Sequence, residues 1–413
     1  MKKIYMNKII FFVLPLLFTF AINDEISFTL EMSPSLYKND TSYLSSILFL
    51  RLGADFLLGT PPQKVFLCFD WTSALSFITS KHYIVNSSTS AKSMKDSNMN
   101  FYEEKIMSGY SNEDIISLPN NNLTQFYFKH VIAYFVRDMD RCDGYIGMKF
   151  DEVTKRYETF LSQLYSNNFI NKQLYIIEYT SSLKRKLTFD PIINKGDIIF
   201  ECKIKEDKLL PIWHASVHNV LLNQNKILLS PLSSVRFDSS FGLVLADPKY
   251  KKPIMNELGL NSKCVSSVFF LNENTNNFDF YYVDKKFEYF LCPNSFDIEN
   301  DQILSFYFVD VKDKGILNIN LNTFWSYYNN THKLFNIVFH LERENSFRLY
   351  DFIIGDAVMK NYKVIYDRDK YKIQFIKHIT LNNKALTLIN LNIAIILCNY
   401  IILLYVYLTK LHT

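Results

Sequence analysis

Along most of the chain, apolar residues come in short runs of strand-forming Ile, Val, Tyr and Phe, broken by clusters of Asn, Asp and Ser. Phe126-Tyr127-Phe128, Val131-Ile132-Ala133-Tyr134-Phe135 and the stretch from Phe306 to Val311 are typical. Runs of this length bounded by turn-forming residues read as β-strands, so the body is predicted to be all-β with a few short helices. One segment departs from the pattern. From Thr154 to Ser166, Tyr157, Phe160, Leu161 and Leu164 recur at helical spacing and predict a helix.

The two ends have a different character. Lys2, Lys3 and Lys8 precede the apolar stretch Ile9 to Ile22, the basic-then-apolar layout of a secretory signal peptide, assigned to residues 1–22. Residues 385–408 are predominantly apolar and long enough to span a bilayer as a transmembrane helix, although Asn390, Asn392 and Asn399 interrupt them. Lys410 and His412 follow as a short basic stop. Together these signals predict a single-pass membrane protein of the secretory pathway, with its bulk luminal or extracellular. A lipid-anchor signal is the alternative; it ends apolar after a cluster of small residues, and this tail has neither feature. Little chain separates residue 22 from the first strands, predicted near Phe49. That is short for a removable basic prosegment, so little or no activation by cleavage is expected.

With 413 residues the chain is long enough for two domains, placed at 40–190 and 191–378 with a division near Arg185 to Lys195. A hydrophobic content of 48% with 36 Phe provides for a large core and argues against disorder. The net charge of +4 is small, and no basic cluster is interleaved with aromatics, so no nucleic-acid partner is expected. The run Lys249-Tyr250-Lys251-Lys252 reads as solvated surface. Of the six cysteines, Cys264 and Cys292 are expected to form a disulfide in an oxidising compartment. Cys398 lies in the predicted span, and Cys68 reads as a small buried core residue. Neither Cys-x-x-Cys nor His-Glu-x-x-His occurs, so no metal site and no cofactor are expected.

Two segments echo one another: Phe69-Asp70-Trp71-Thr72-Ser73 and Phe237-Asp238-Ser239-Ser240-Phe241. Each sets an aspartate at the end of an apolar run, where a carboxylate is costly unless it is hydrogen-bonded or shares a proton. Two such acids suggest two similar halves that bring them together. A proton-sharing carboxylate pair is the machinery of hydrolysis by activated water. Glycine supports this reading. The chain has only 10, where average usage would give about 29. Six of them, Gly59, Gly109, Gly144, Gly147, Gly242 and Gly355, fall in or beside the segments of interest.

These segments resemble the landmarks of the pepsin-like (A1) aspartic proteases. Leu58-Gly59-Thr60-Pro61-Pro62-Gln63 resembles the turn before the first catalytic aspartate. Tyr102 with Met107-Ser108-Gly109 and Asp114-Ile115-Ile116 resembles the flap. Cys142-Asp143-Gly144-Tyr145-Ile146-Gly147 and Ile353-Ile354-Gly355-Asp356-Ala357 resemble the segments that thread beside the two aspartates, and Tyr362 to Arg368 the final strands. The resemblance covers roughly residues 45–378 and implies a bilobal fold with Asp70 and Asp238 as the catalytic dyad. Tyr102 is the implied flap residue, Gly147 and Gly355 the threading glycines, and a peptide or protein the substrate of a monomeric endopeptidase working best in acid.

The departures fall at the chemistry. The family pattern is Asp, Thr or Ser, Gly, then Ser or Thr. Here the supporting positions are Thr72 and Ser73 in one copy and Ser239 and Ser240 in the other, with Trp71 and Phe241 replacing hydroxyl residues. Ser239 is expected to help lock the two loops together and Ser73 to support its acid. Phe77 stands where a tryptophan usually meets the flap tyrosine. Three readings remain open, the first two being an active protease, favoured by the surviving acids, and an inactive relative that binds extended peptides. An unrelated all-β surface protein is the third.

Overall fold

The computed structural model describes residues 26–32, 50–71, 73–93, 99–101, 107–119, 121–135, 142–149, 158–205, 213–226, 233–270, 286–298, 301–309, 314–341 and 350–377. The segments predicted as signal peptide and transmembrane helix lie outside these residues, as do Thr72 and Tyr102. Among the described residues, no helix is long and apolar enough to cross a membrane.

The architecture is mostly β and bilobal, built among the described residues on a 14-stranded and a 12-stranded sheet with a few short helices. Alternation along each strand determines which side chains enter the core. In Gln63–Asp70, Val65, Leu67 and Phe69 enter the main core, while Phe66, Cys68 and Asp70 face the other way. In Ser233–Phe237, Val235 and Phe237 enter the core, which leaves Ser234, Arg236 and the following Asp238 on the opposite face.

Neighbouring antiparallel strands tie the lobes together. Leu174–Ser181 pairs with Lys184–Phe189 on one side and with Tyr362–Asp367 on the other, so chain from both halves shares one sheet. Ser27–Met32 lies between Lys184–Phe189 and Leu52–Leu58. This strand precedes the expected start of the first lobe at residue 40, and it buries Phe28 and Leu30. Arg185, within the expected division between halves, is part of a strand. Its buried guanidinium grips Asp356 with two bonds, at 3.0 and 2.6 Å.

The helix predicted over Thr154 to Ser166 is observed over Phe160–Ser166, while 151–157 lie outside the described residues. Thr159 caps it, its hydroxyl accepting from the Ser162 N–H at 3.3 Å. Phe160 then packs edge-on against Phe56, Phe69 and Phe128. The run Lys249 to Lys252 is more than solvated surface: Lys249 pairs with Asp351, Lys251 with Glu288, and Tyr250 is buried.

Two disulfides are present among the described residues. Cys264 is joined to Cys292, and Cys68 to Cys142. The second corrects the reading of Cys68 as a core residue alone. Cys68 ends up on the strand beside Gly144–Gly147, two residues after Cys142, and the parallel register Leu67↔Gly144 brings the two thiols together.

Candidate paired-aspartate site

Asp70 and Asp238 occupy matching positions. Asp70 ends the Gln63–Asp70 strand, which runs parallel to Gly144–Gly147 with Asp70 opposite Gly147. Asp238 follows Ser233–Phe237, which runs parallel to Phe352–Ile354, and its N–H donates to the Ile354 carbonyl at 3.0 Å. In each half the threading segment ends in a glycine pressed on the aspartate loop. A Cβ on Gly147 would lie 2.5 Å from the Ala74 carbonyl oxygen and 2.8 Å from that of Ser73. One on Gly355 would overlap the carbonyls of Phe241 and Leu243. Only a residue without a side chain lets the backbones approach so closely.

The loops differ in how they support their acids. Asp238 is 0% exposed. Its Oδ1 accepts from the Ser240 N–H at 2.9 Å and from the Ser240 hydroxyl at 2.5 Å. Ser240 therefore supplies the hydroxyl that Phe241 lacks. Oδ2 accepts from the guanidinium of Arg236, itself 2% exposed, in a buried ion pair. Arg236 is the residue that sequence reasoning missed. The signal was present, because a charge between Val235 and Phe237, two residues before Asp238, must share the face of that acid in a strand.

Asp70 is half-buried, and its carbonyl accepts from the Met148 N–H at 2.8 Å. Ser73 folds over its own loop, accepting from the Leu75 N–H at 3.0 Å. The threading segment is held twice on this side, the Ser76 hydroxyl accepting from the Gly147 N–H at 3.1 Å and the Ser73 carbonyl from the Lys149 N–H at 3.0 Å. Trp71 does not enter the space above the acids. It is 1% exposed and packs on Phe69 in the main core. Its indole N–H lies beside the Tyr175 hydroxyl without closing a hydrogen bond.

Below both loops lies an aromatic platform. Tyr175 and Tyr366 are directly opposite on neighbouring strands and stack at 4.9 Å with 13° between their planes. Trp213 packs edge-on against Tyr366 at 4.8 Å. The expected lock by Ser239 across the loops is not what forms. Its hydroxyl is bonded to the Tyr366 hydroxyl at 2.8 Å and to the Met359 sulfur at 3.4 Å. The halves are instead joined by the Leu50 N–H on the Ser240 carbonyl at 2.7 Å and the Trp213 indole N–H on the Met148 carbonyl at 3.2 Å. Burial raises the ionisation of both tyrosines well above the ordinary phenol range, so both hydroxyls stay protonated at any pH the fold meets.

Two smaller apolar clusters flank the acids on the faces away from the main core. One contains Cys68, Phe77, Cys142 and Tyr145, with Phe77 stacked on Tyr145 at 5.5 Å. The other contains Phe241, Leu243 and Ile353. Strands Met99–Phe101 and Met107–Leu118 pair antiparallel with Phe101 opposite Met107, and Tyr102, between them in the sequence, lies outside the described residues.

Among curated proteins none matches the chain. A family model described as eukaryotic aspartyl protease matches residues 54–378, which spans both aspartate loops and both threading segments. With that match added to the mostly β, two-sheet architecture, the chain belongs to the eukaryotic aspartyl protease family.

Proposed function

We propose that the protein is an aspartic endopeptidase that hydrolyses peptide bonds through a water held between Asp70 and Asp238. The observation that carries this reading is the matched placement of the two acids, each at a strand end against a glycine that admits no Cβ. Asp238, paired with a guanidinium and two Ser240 donors, suits the base that takes a proton from the water. Asp70 then suits the acid that donates to the carbonyl oxygen as it becomes an alcohol. Tyr102 closes over the substrate in this reading, and the apolar clusters around Phe77 and Phe241 receive its side chains. Two disulfides fit a secreted or luminal setting. The apolar C-terminal segment anchors a monomer to the membrane in the same proposal.

A second reading, peptide binding without hydrolysis, draws support from one feature. Arg236 and Ser240 together occupy three of the roughly four acceptor positions of the Asp238 carboxylate, leaving little for a water. The test is cleavage of a peptide library between pH 4 and 5 by the intact protein and by Asp70→Asn and Asp238→Asn. Hydrolysis lost in both variants supports the protease. Peptide binding with no turnover in the unaltered protein supports the second reading instead.

A further inference from the structure

Arg51 carries a charge that the described fold does not neutralise. It is 7% exposed, yet its one interaction among the described residues is with a ring: its guanidinium carbon lies 5.8 Å from the centroid of Tyr145. Among the described residues, the other two arginines buried as deeply each hold a carboxylate, Arg185 that of Asp356 and Arg236 that of Asp238. Charged side chains are almost never buried without a partner, because losing hydration costs far more than an aromatic face returns. A guanidinium in this setting is a ready receptor for an anion, and its planar fork matches a carboxylate in particular.

Its location says whose carboxylate. The neighbouring Leu50 N–H is bonded to the carbonyl of Ser240, two residues beyond Asp238. Tyr145 is opposite Cys68 in the parallel register that sets Gly147 opposite Asp70, and it shares the Cys68 and Phe77 cluster on the face that Asp70 also shares. Arg51 thus lies where the two aspartate loops meet, against the apolar surface beside Asp70. We infer that Arg51 is a specificity-determining residue that binds a carboxylate of the peptide lying across Asp70 and Asp238, so that acidic peptides are preferred. This rests on the cleft binding an extended peptide, as proposed above. Two sources share this chemistry: an Asp or Glu side chain, and a free peptide C-terminus.

The experiment measures binding by the full chain at pH 7 of fluorescent, C-terminally amidated peptides in which one Glu is moved along an otherwise apolar sequence. Gln and Lys replace it in matched peptides, and one unamidated series is added. At one position Glu is expected to bind at least tenfold more tightly than Gln, with the advantage shrinking in high salt. Arg51→Glu is expected to invert the order so that Lys binds best, which a merely structural arginine would not produce. Where Arg51→Glu fails to fold, Arg51→Lys serves, with the Glu advantage reduced but retained. A preference for the free acid alone would assign the carboxylate to the peptide end. Equal binding of Glu and Gln peptides, or a Glu preference that survives Arg51→Glu, overturns this inference and leaves the peptide cleft standing. Absence of binding by every peptide overturns both.

Discussion

Removing the Arg236 side chain probes the buried ion pair directly. Arg236→Met keeps much of the volume and deletes the charge, leaving the Asp238 carboxylate at 0% exposure with Ser240 as its only remaining donor among the described residues. Breaking a buried pair from one side strands the other charge and typically costs about 3–5 kcal/mol. Replacing both partners by uncharged groups of similar size is often neutral or stabilising by about 1–4 kcal/mol. The cycle of Arg236→Met, Asp238→Asn and the double variant, unfolded in urea at pH 7, therefore has a definite shape. The Arg236→Met variant should lose about 3–5 kcal/mol, and adding Asp238→Asn should recover most of it. Double-mutant coupling near zero, or an Arg236→Met variant as stable as the parent, would refute the pairing. Activity read on the same variants separates the two functional readings. Faster hydrolysis after Arg236 is replaced would mean that the guanidinium restrains the acid rather than readying it.

His130 makes stability depend on pH. Burial holds its imidazole down to about 4 from an ordinary 6.5, while the nearby Asp114 charge and the Phe128 carbonyl bonded to Nδ1 at 2.9 Å oppose this only in part. Between those values the unfolded chain takes up a proton that the folded one refuses. The His130 contribution is therefore complete above pH 6.5 and is lost as pH falls to 4, about 3 kcal/mol in all. Urea titrations at pH 7 and pH 4 should show a smaller loss in His130→Gln than in the parent. Phe28 packs on Phe56, Phe69 and Phe189, so Phe28→Ala should cost about 3–5 kcal/mol. N-terminal sequencing of the mature protein should then find Ser27 retained. Gly355→Ala drives a methyl into two carbonyls of the Asp238 loop and should destabilise by about 3 kcal/mol or more, seen as a lowered thermal midpoint.

How far the sequence went depended on the range of the interaction concerned. Alternation and turn chemistry act within a few residues, so the all-β class and the helix around Phe160 were legible, and Asp70 and Asp238 stood out as candidates because each ends an apolar run. Gly147 and Gly355 were legible too, since a chain so poor in glycine keeps it where backbones touch. Arg236 was legible in principle, because period-2 alternation alone places it beside Asp238. What tertiary structure decided was every contact between distant segments. Cys68 could be assigned to Cys142 only once Gln63–Asp70 was known to run parallel to Gly144–Gly147. Trp71 stands next to Asp70 where the family has a hydroxyl residue, and only the fold seats it in the core beside Tyr175, from a strand that pairs with Tyr362–Asp367. The same pairing stacks Tyr175 on Tyr366 and turns Ser239 downward instead of across. A sequence records which groups need a partner; only the assembled sheets determine which partner comes within a few ångströms.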